Sequence, residues 1–135
     1  MSEIPASDEL IEFVFAALDH GTGMVKEGGS LIPFVISETP KGQELTRFVS
    51  ETLKEGREQA KQHASSSEAD RVAVVYDGYL TAEGERSDAV FVEAQERGTE
   101  SSVIFAQHYR AGSRLRKFST IGNAVFSGRA EGLFQ

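Results

Sequence analysis

A succession of strand-forming runs sets in at Arg71, alternating apolar and polar over 88–96 and 102–110, and constrains the fold more than any other feature of the chain. Residues 71–81, 88–96 and 102–110 form three such runs, rich in Val, Phe and Tyr, and 115–121 is a weaker fourth. Short segments containing Gly84, Gly98 and Gly112 separate them. Strands of similar length joined by short glycine turns predict an antiparallel meander. Asp77 and Gly78 complicate the first run, because that dipeptide is also a hairpin signal. A turn there would leave two very short strands, so the reading adopted is one long strand with a bulge at Gly78. The segment 122–135 is expected to be an irregular C-terminal tail draped on the core.

The first half has a different texture. Ser7 is a candidate N-cap, and Asp8 and Glu9 place negative charge at the positive end of a helix dipole. Leu10, Phe13, Val14, Ala17 and Leu18 recur at helical spacing, which predicts a helix over about 7–20 with Gly21 just beyond its end. Glycines 21, 23, 28 and 29 suggest a loop. Residues 31–36 are apolar almost without break, the pattern of a strand covered on both faces, and Pro33 leaves one ladder position without a donor. Thr39 and Pro40 look like a helix start. A stripe of Leu45, Phe48, Val49, Thr52, Leu53, Gly56, Ala60 and Ala64 carries that helix to about 64. Gly56 in its middle implies a close backbone approach.

These elements add up to a single α+β domain over 1–135. It has a four- to five-stranded, largely antiparallel sheet with two helices, about 7–20 and 40–64, packed on one face. The strand over 31–36 is expected to join the meander in parallel, through a right-handed crossover by way of the second helix. The opposite face, half apolar on paper, is then left for a partner, and a homodimer is expected.

Composition narrows the chemistry. With no Cys, the chain has no disulfide framework, thiolate metal site or cysteine nucleophile. No apolar run approaches the ~18 residues of a membrane span, and the segment from Met1 to Pro5 lacks the positive charge of a signal peptide. A cytoplasmic protein without a membrane role is the expectation. His20, His63 and His108 have no metal-ligand spacing, and nucleotide and nucleophile fingerprints are missing, so no metal and no cofactor is expected.

Two sets of polar residues remain as candidates. Asp77, Asp88, Glu93 and Glu96 are sheet carboxylates. Asp77 with Glu93 and Gln95 is similar to the carboxylate pairs that hold a divalent ion in nuclease-like sheets, although Gln95 stands where a lysine belongs. Solvated strand-end charges account for the same residues more simply. The second set is Asp77, Tyr79, Glu93, Gln95, His108 and Arg110, which would form a catalytic cluster if strand register brought them to one face, with His108 as a base and Arg110 holding an anion. Cross-strand charge pairing, such as Glu93 with Arg110, is the plainer account.

Charge is split along the chain. The net charge is −7, yet residues 1–105 carry 20 acids and 9 bases, whereas 106–135 carry 1 acid and 5 bases. Arg114, Arg116 and Lys117 are therefore candidate anion-binding residues. A match to acidic neighbours, inside the fold or in a second copy, is the simpler reading, and a nucleic-acid partner is disfavoured by the acidic total. The resulting expectation is a small, non-enzymatic interaction or regulatory domain acting as a homodimer, with a possible protein partner. An enzyme, such as a metal-assisted hydrolase using the polar cluster, is the alternative.

Overall fold

The computed structural model describes residues 6–28, 31–82 and 84–134. Met1 to Pro5, Gly29, Ser30, Glu83 and Gln135 lie outside them. Helix α1 spans Asp8–Lys26, followed by strands β1 (Phe34–Thr39) and β2 (Gly42–Arg47), helix α2 (Leu53–Ser65), and strands β3 (Arg71–Ala82), β4 (Glu85–Glu96), β5 (Ser101–Arg110) and β6 (Ser119–Glu131). The strands form one six-stranded sheet in the order β2-β1-β3-β4-β5-β6, antiparallel at every pairing. The fold is α+β, and the meander from Arg71 onward is present as expected.

Helix α1 starts where its sequence says. Ser7 Oγ accepts from the Leu10 amide at 3.1 Å and donates to Glu96 Oε2 at 3.0 Å, fixing the cap to the end of β4. The helix runs past Gly21 to Lys26, and Gly28, at φ +100°, follows its end. Gly21 is not a terminator. A Cβ there would lie 2.7 Å from Val90 Cγ1 and 3.0 Å from Val75 Cγ1, so the residue lets the helix approach the sheet. The helix seats Leu10, Phe13, Val14, Ala17 and Leu18 against Phe34, Ile36, Ala73, Val75, Val90, Val92, Val103 and Phe105.

The second helix begins later than the sequence suggests. Thr39 and Pro40 open a hairpin turn, not a helix. Thr39 Oγ1 accepts from the Lys41 amide at 3.1 Å, Thr39 faces Gly42 across the ladder, and Gly42 has φ +131°. Proline after a threonine serves a turn as well as a helix N-terminus, and Gly42 tips the balance. The actual cap is Thr52, whose Oγ1 accepts from the Glu55 amide at 3.1 Å. Threonine with a glutamate three residues on is the capping-box pattern. Gly56 does mark a close approach, since a Cβ would stand 2.6 Å from the Phe48 carbonyl oxygen.

The helices take opposite faces, not one. In β3, Ala73 and Val75 belong to the α1 core, while Val72, Val74 and Tyr76 join Val35, Ala60 and Ala64 in a second core under α2. Strand alternation makes this assignment unambiguous. Because β1 lies between β2 and β3, both antiparallel to it, there is no parallel crossover. The expected bulge at Gly78 is absent too: β3 and β4 pair in unbroken register, with Gly78 opposite Ala89. Gly78 instead lies under the Phe91 ring, where a Cβ would meet Cε2 at 2.8 Å.

The segment expected to be a C-terminal tail is mostly strand. β6 runs to Glu131 as a sheet edge, with register shifts opposite Ile104/Phe105 and Ala106/His108. The expected fourth strand over 115–121 is displaced, and 111–118 is a loop. No helix among the described residues is long and apolar enough to cross a membrane.

Candidate functional site

Alternation along β3 and β4 separates the sequence-predicted cluster. Asp77 and Tyr79 project with Val75 toward the α1 side, whereas Glu93 and Gln95 project with Phe91 toward the α2 side. Asp77 and Glu93 thus flank the sheet and cannot share a metal ion. No group of three His, Asp or Glu among the described residues is placed to hold one. His108 is on the α2 side, but Glu93 pairs with Ile104, four residues away on β5, or roughly 13 Å. Arg110 lies two residues further on, so the expected Glu93–Arg110 pair does not form.

Each carboxylate has its own structural partners. Asp77 Oδ1 accepts from Tyr109 Oη at 2.9 Å and from the Gly78 amide at 3.0 Å. Burial raises the Asp77 carboxyl above the usual range, against the opposing pull of these two donors. Burial, reinforced by Asp77, also pushes the Tyr109 phenol well up, so it stays a donor at neutral pH. Asp88 faces Tyr109 across the ladder and adds to both shifts. Glu96 caps α1 through Ser7 and lies 3.4 Å from Arg71 Nε, while Arg71 Nη1 bonds Glu38 Oε1 at 2.7 Å.

On the other face, Glu93 is only 3% exposed. Ser102 Oγ, fully buried, donates to its Oε2 at 2.8 Å, and Lys61 of α2 stands 3.4 Å from Oε1. An ion pair with an added hydroxyl donor is what a carboxylate needs to survive under a helix. Gln95 acts as an anchor. Its Nε2 donates to the Thr99 carbonyl at 2.6 Å, and its Oε1 accepts from the Leu133 and Phe134 amides at 2.5 and 3.1 Å. These bonds tie the chain beyond β6 to the β4–β5 turn.

One close pair of side chains has the distance of a nucleophile and a base. Ser87 Oγ and His108 Nδ1 are 2.6 Å apart beside an open cavity of about 770 Å³ that Tyr79, Arg86, Asp88, Arg110 and Arg116 also line. The Arg86 guanidinium lies 3.6 Å above the Tyr79 ring. Among the described residues no carboxylate hydrogen-bonds the other His108 nitrogen, so the third member of a triad is absent. Sequence reasoning does not single out Ser87, Ser102, Tyr109 or Lys61. Ser102 and Tyr109 carry a signal there, as hydroxyls in strand positions whose alternation demands burial.

Arg110, Arg114, Arg116, Lys117 and Arg129 are in none of the ion pairs among the described residues. Arg114, Arg116 and Lys117 sit in the exposed 111–118 loop with Lys26 across a cavity of about 900 Å³. Comparison with family models, with curated proteins and with solved structures gives no match.

Proposed function

We propose that this chain is a cytoplasmic, non-enzymatic interaction domain that acts as a homodimer, joined through the half-covered face of its sheet. The observation that carries this reading is the exposure along β6. Ile121 and Val125 remain 42% and 43% accessible on a strand that no helix covers. α2 packs over β1 and β3, so Ile121 and Val125 continue an open surface with partly exposed Ile104. Apolar side chains gathered on one open face are what a second copy would cover. The face supports this better than the edge. Bulges interrupt the outer rim of β6 and blunt it as a template for strand pairing. A twofold contact brings one patch against its own copy, and an apolar patch can meet itself without pairing like charges.

Sedimentation velocity at tens of micromolar tests the reading. The wild type should run at twice the chain mass, and a double Ile121→Lys, Val125→Lys variant at the chain mass with unchanged circular dichroism. A wild type that is strictly monomeric there overturns the dimer.

A second reading, catalysis at the open cavity, is favoured by the 2.6 Å Ser87–His108 pair, with Arg86, Arg110 and Arg116 available to an anionic ester. It requires a burst of product from an anionic aryl ester that Ser87→Ala abolishes. The metal-assisted version built on Asp77 and Glu93 has lost its geometry.

A further inference from the structure

We propose that the cavity between the C-terminal end of α1 and the β5–β6 loop binds a phosphate group, either free or carried on a lipid headgroup. It is lined by Lys26, Arg114, Arg116 and Lys117, and no Asp or Glu among the described residues lines it. In a chain with 21 acids against 14 bases, four cations converging on one cavity without a carboxylate is a strong departure from the average surface. None of the four is in an ion pair among the described residues. Like charges held together repel one another, and an anion between them relieves that repulsion.

The loop that carries three of these cations is held in place. Phe118 stacks on buried Tyr109 with ring centroids 5.7 Å apart. Ser113 donates its amide to the Arg116 carbonyl at 2.7 Å, and Gly112 passes so close to Phe118 that a Cβ would lie 3.1 Å from its amide nitrogen. Guanidinium groups match phosphate oxygens in pairs, which a carboxylate partner would use less fully. The C-terminus of α1 contributes partial negative charge to the same cavity, and Lys26 in its last turn offsets it.

Leu115 bears on where the phosphate resides. It is 98% exposed between Arg114 and Arg116. A free phosphate makes no use of it. A lipid headgroup places hydrocarbon beside the anion, where such a side chain would be buried.

Two titrations of the full chain test the site and distinguish these sources. One uses inorganic pyrophosphate, followed by calorimetry. The other uses sedimentation with phosphatidylcholine vesicles, with and without phosphatidylserine. Saturable binding of pyrophosphate, or retention on the phosphatidylserine vesicles alone, is expected, and either should weaken as salt rises. The triple variant Arg114→Gln, Arg116→Gln, Lys117→Gln, altered only at exposed positions, should keep the wild-type melting temperature and bind about a hundredfold more weakly. Leu115→Gln, which removes the apolar side chain without adding charge, should abolish vesicle retention if the headgroup is the ligand, and leave pyrophosphate binding unchanged if free phosphate is. Absence of both interactions at low salt overturns the site, as does a triple variant that binds like the wild type. Retention of a single-stranded oligonucleotide alone would also overturn it, as would a triple variant that merely turns from dimer to monomer.

Discussion

Helix α1 and helix α2 cover the same sheet from opposite sides, and they are held there by different physics. α1 buries Leu, Phe and Val side chains in a core that spans β1 to β5. α2 buries only Gly56, Ala60 and Ala64, three residues with little surface to remove from water. Its grip comes from close backbone approach, from Arg57 lying 3.8 Å over the Tyr76 ring, from Phe48 against His63, and from Lys61 reaching Glu93. The difference teaches where such a fold is strong: one layer is secured by burial, and the other by shape and polar contacts that water can partly replace. α2 is accordingly the layer expected to open first.

The most severe way to break this comparison is to hollow out the α1 layer. Phe13→Ala, at a site 4% exposed, should cost about 3–5 kcal/mol in urea unfolding. A loss below about 1 kcal/mol would mean that the apolar layer is not the stronger one.

Polar support under α2 should yield less. Ser102→Ala leaves the buried Glu93 Oε2 without its hydroxyl donor and should cost about 1–3 kcal/mol. In the same assay Lys61→Met should cost less than Ser102→Ala, because the Lys61 side chain is 40% exposed and water can take part of its place beside Glu93. A larger effect for Lys61 than for Ser102 would reverse the account of what keeps Glu93 buried.

The smallest effect is a sign. The folded state raises the Asp77 carboxyl, so its contribution is fully present at acid pH, below the unfolded value, and is lost as pH rises through the folded value. Asp77→Asn should therefore gain in melting temperature relative to wild type on going from pH 3 to pH 7. A relative loss over that range would mean that the Tyr109 and Gly78 hydrogen bonds outweigh burial.

Much of this fold is visible in particular residues. Ser7, Asp8 and the spacing from Leu10 to Leu18 place α1, and the alternation after Arg71 gives the meander. The unbroken run ending at Ile36 predicts a strand buried on both sides, and β1 is one. A strand of that kind already conflicts with two helices on a single face, because something must cover its other side. The start of the second helix is harder to read, because Thr39 and Pro40 suit two structures, while Thr52 and Glu55 are hidden inside an apolar stripe that runs through them. The candidate cluster fails for a different reason. Residue types can be read from the chain, but whether Asp77 and Glu93 meet depends on which face each position takes in the folded sheet.

Tyr76 lies in the α2 layer with its ring stacked nearly parallel to Phe91, centroids 5.4 Å apart, and Tyr109 lies in the α1 layer against Phe118. The chain has no tryptophan. Each side of the sheet thus has its own chromophore in an asymmetric, immobile setting, and near-ultraviolet dichroism of Tyr76→Phe and Tyr109→Phe variants becomes a separate gauge for each helix. Loosening of α2 ahead of α1 would register as the Tyr76 signal fading while that of Tyr109 persists.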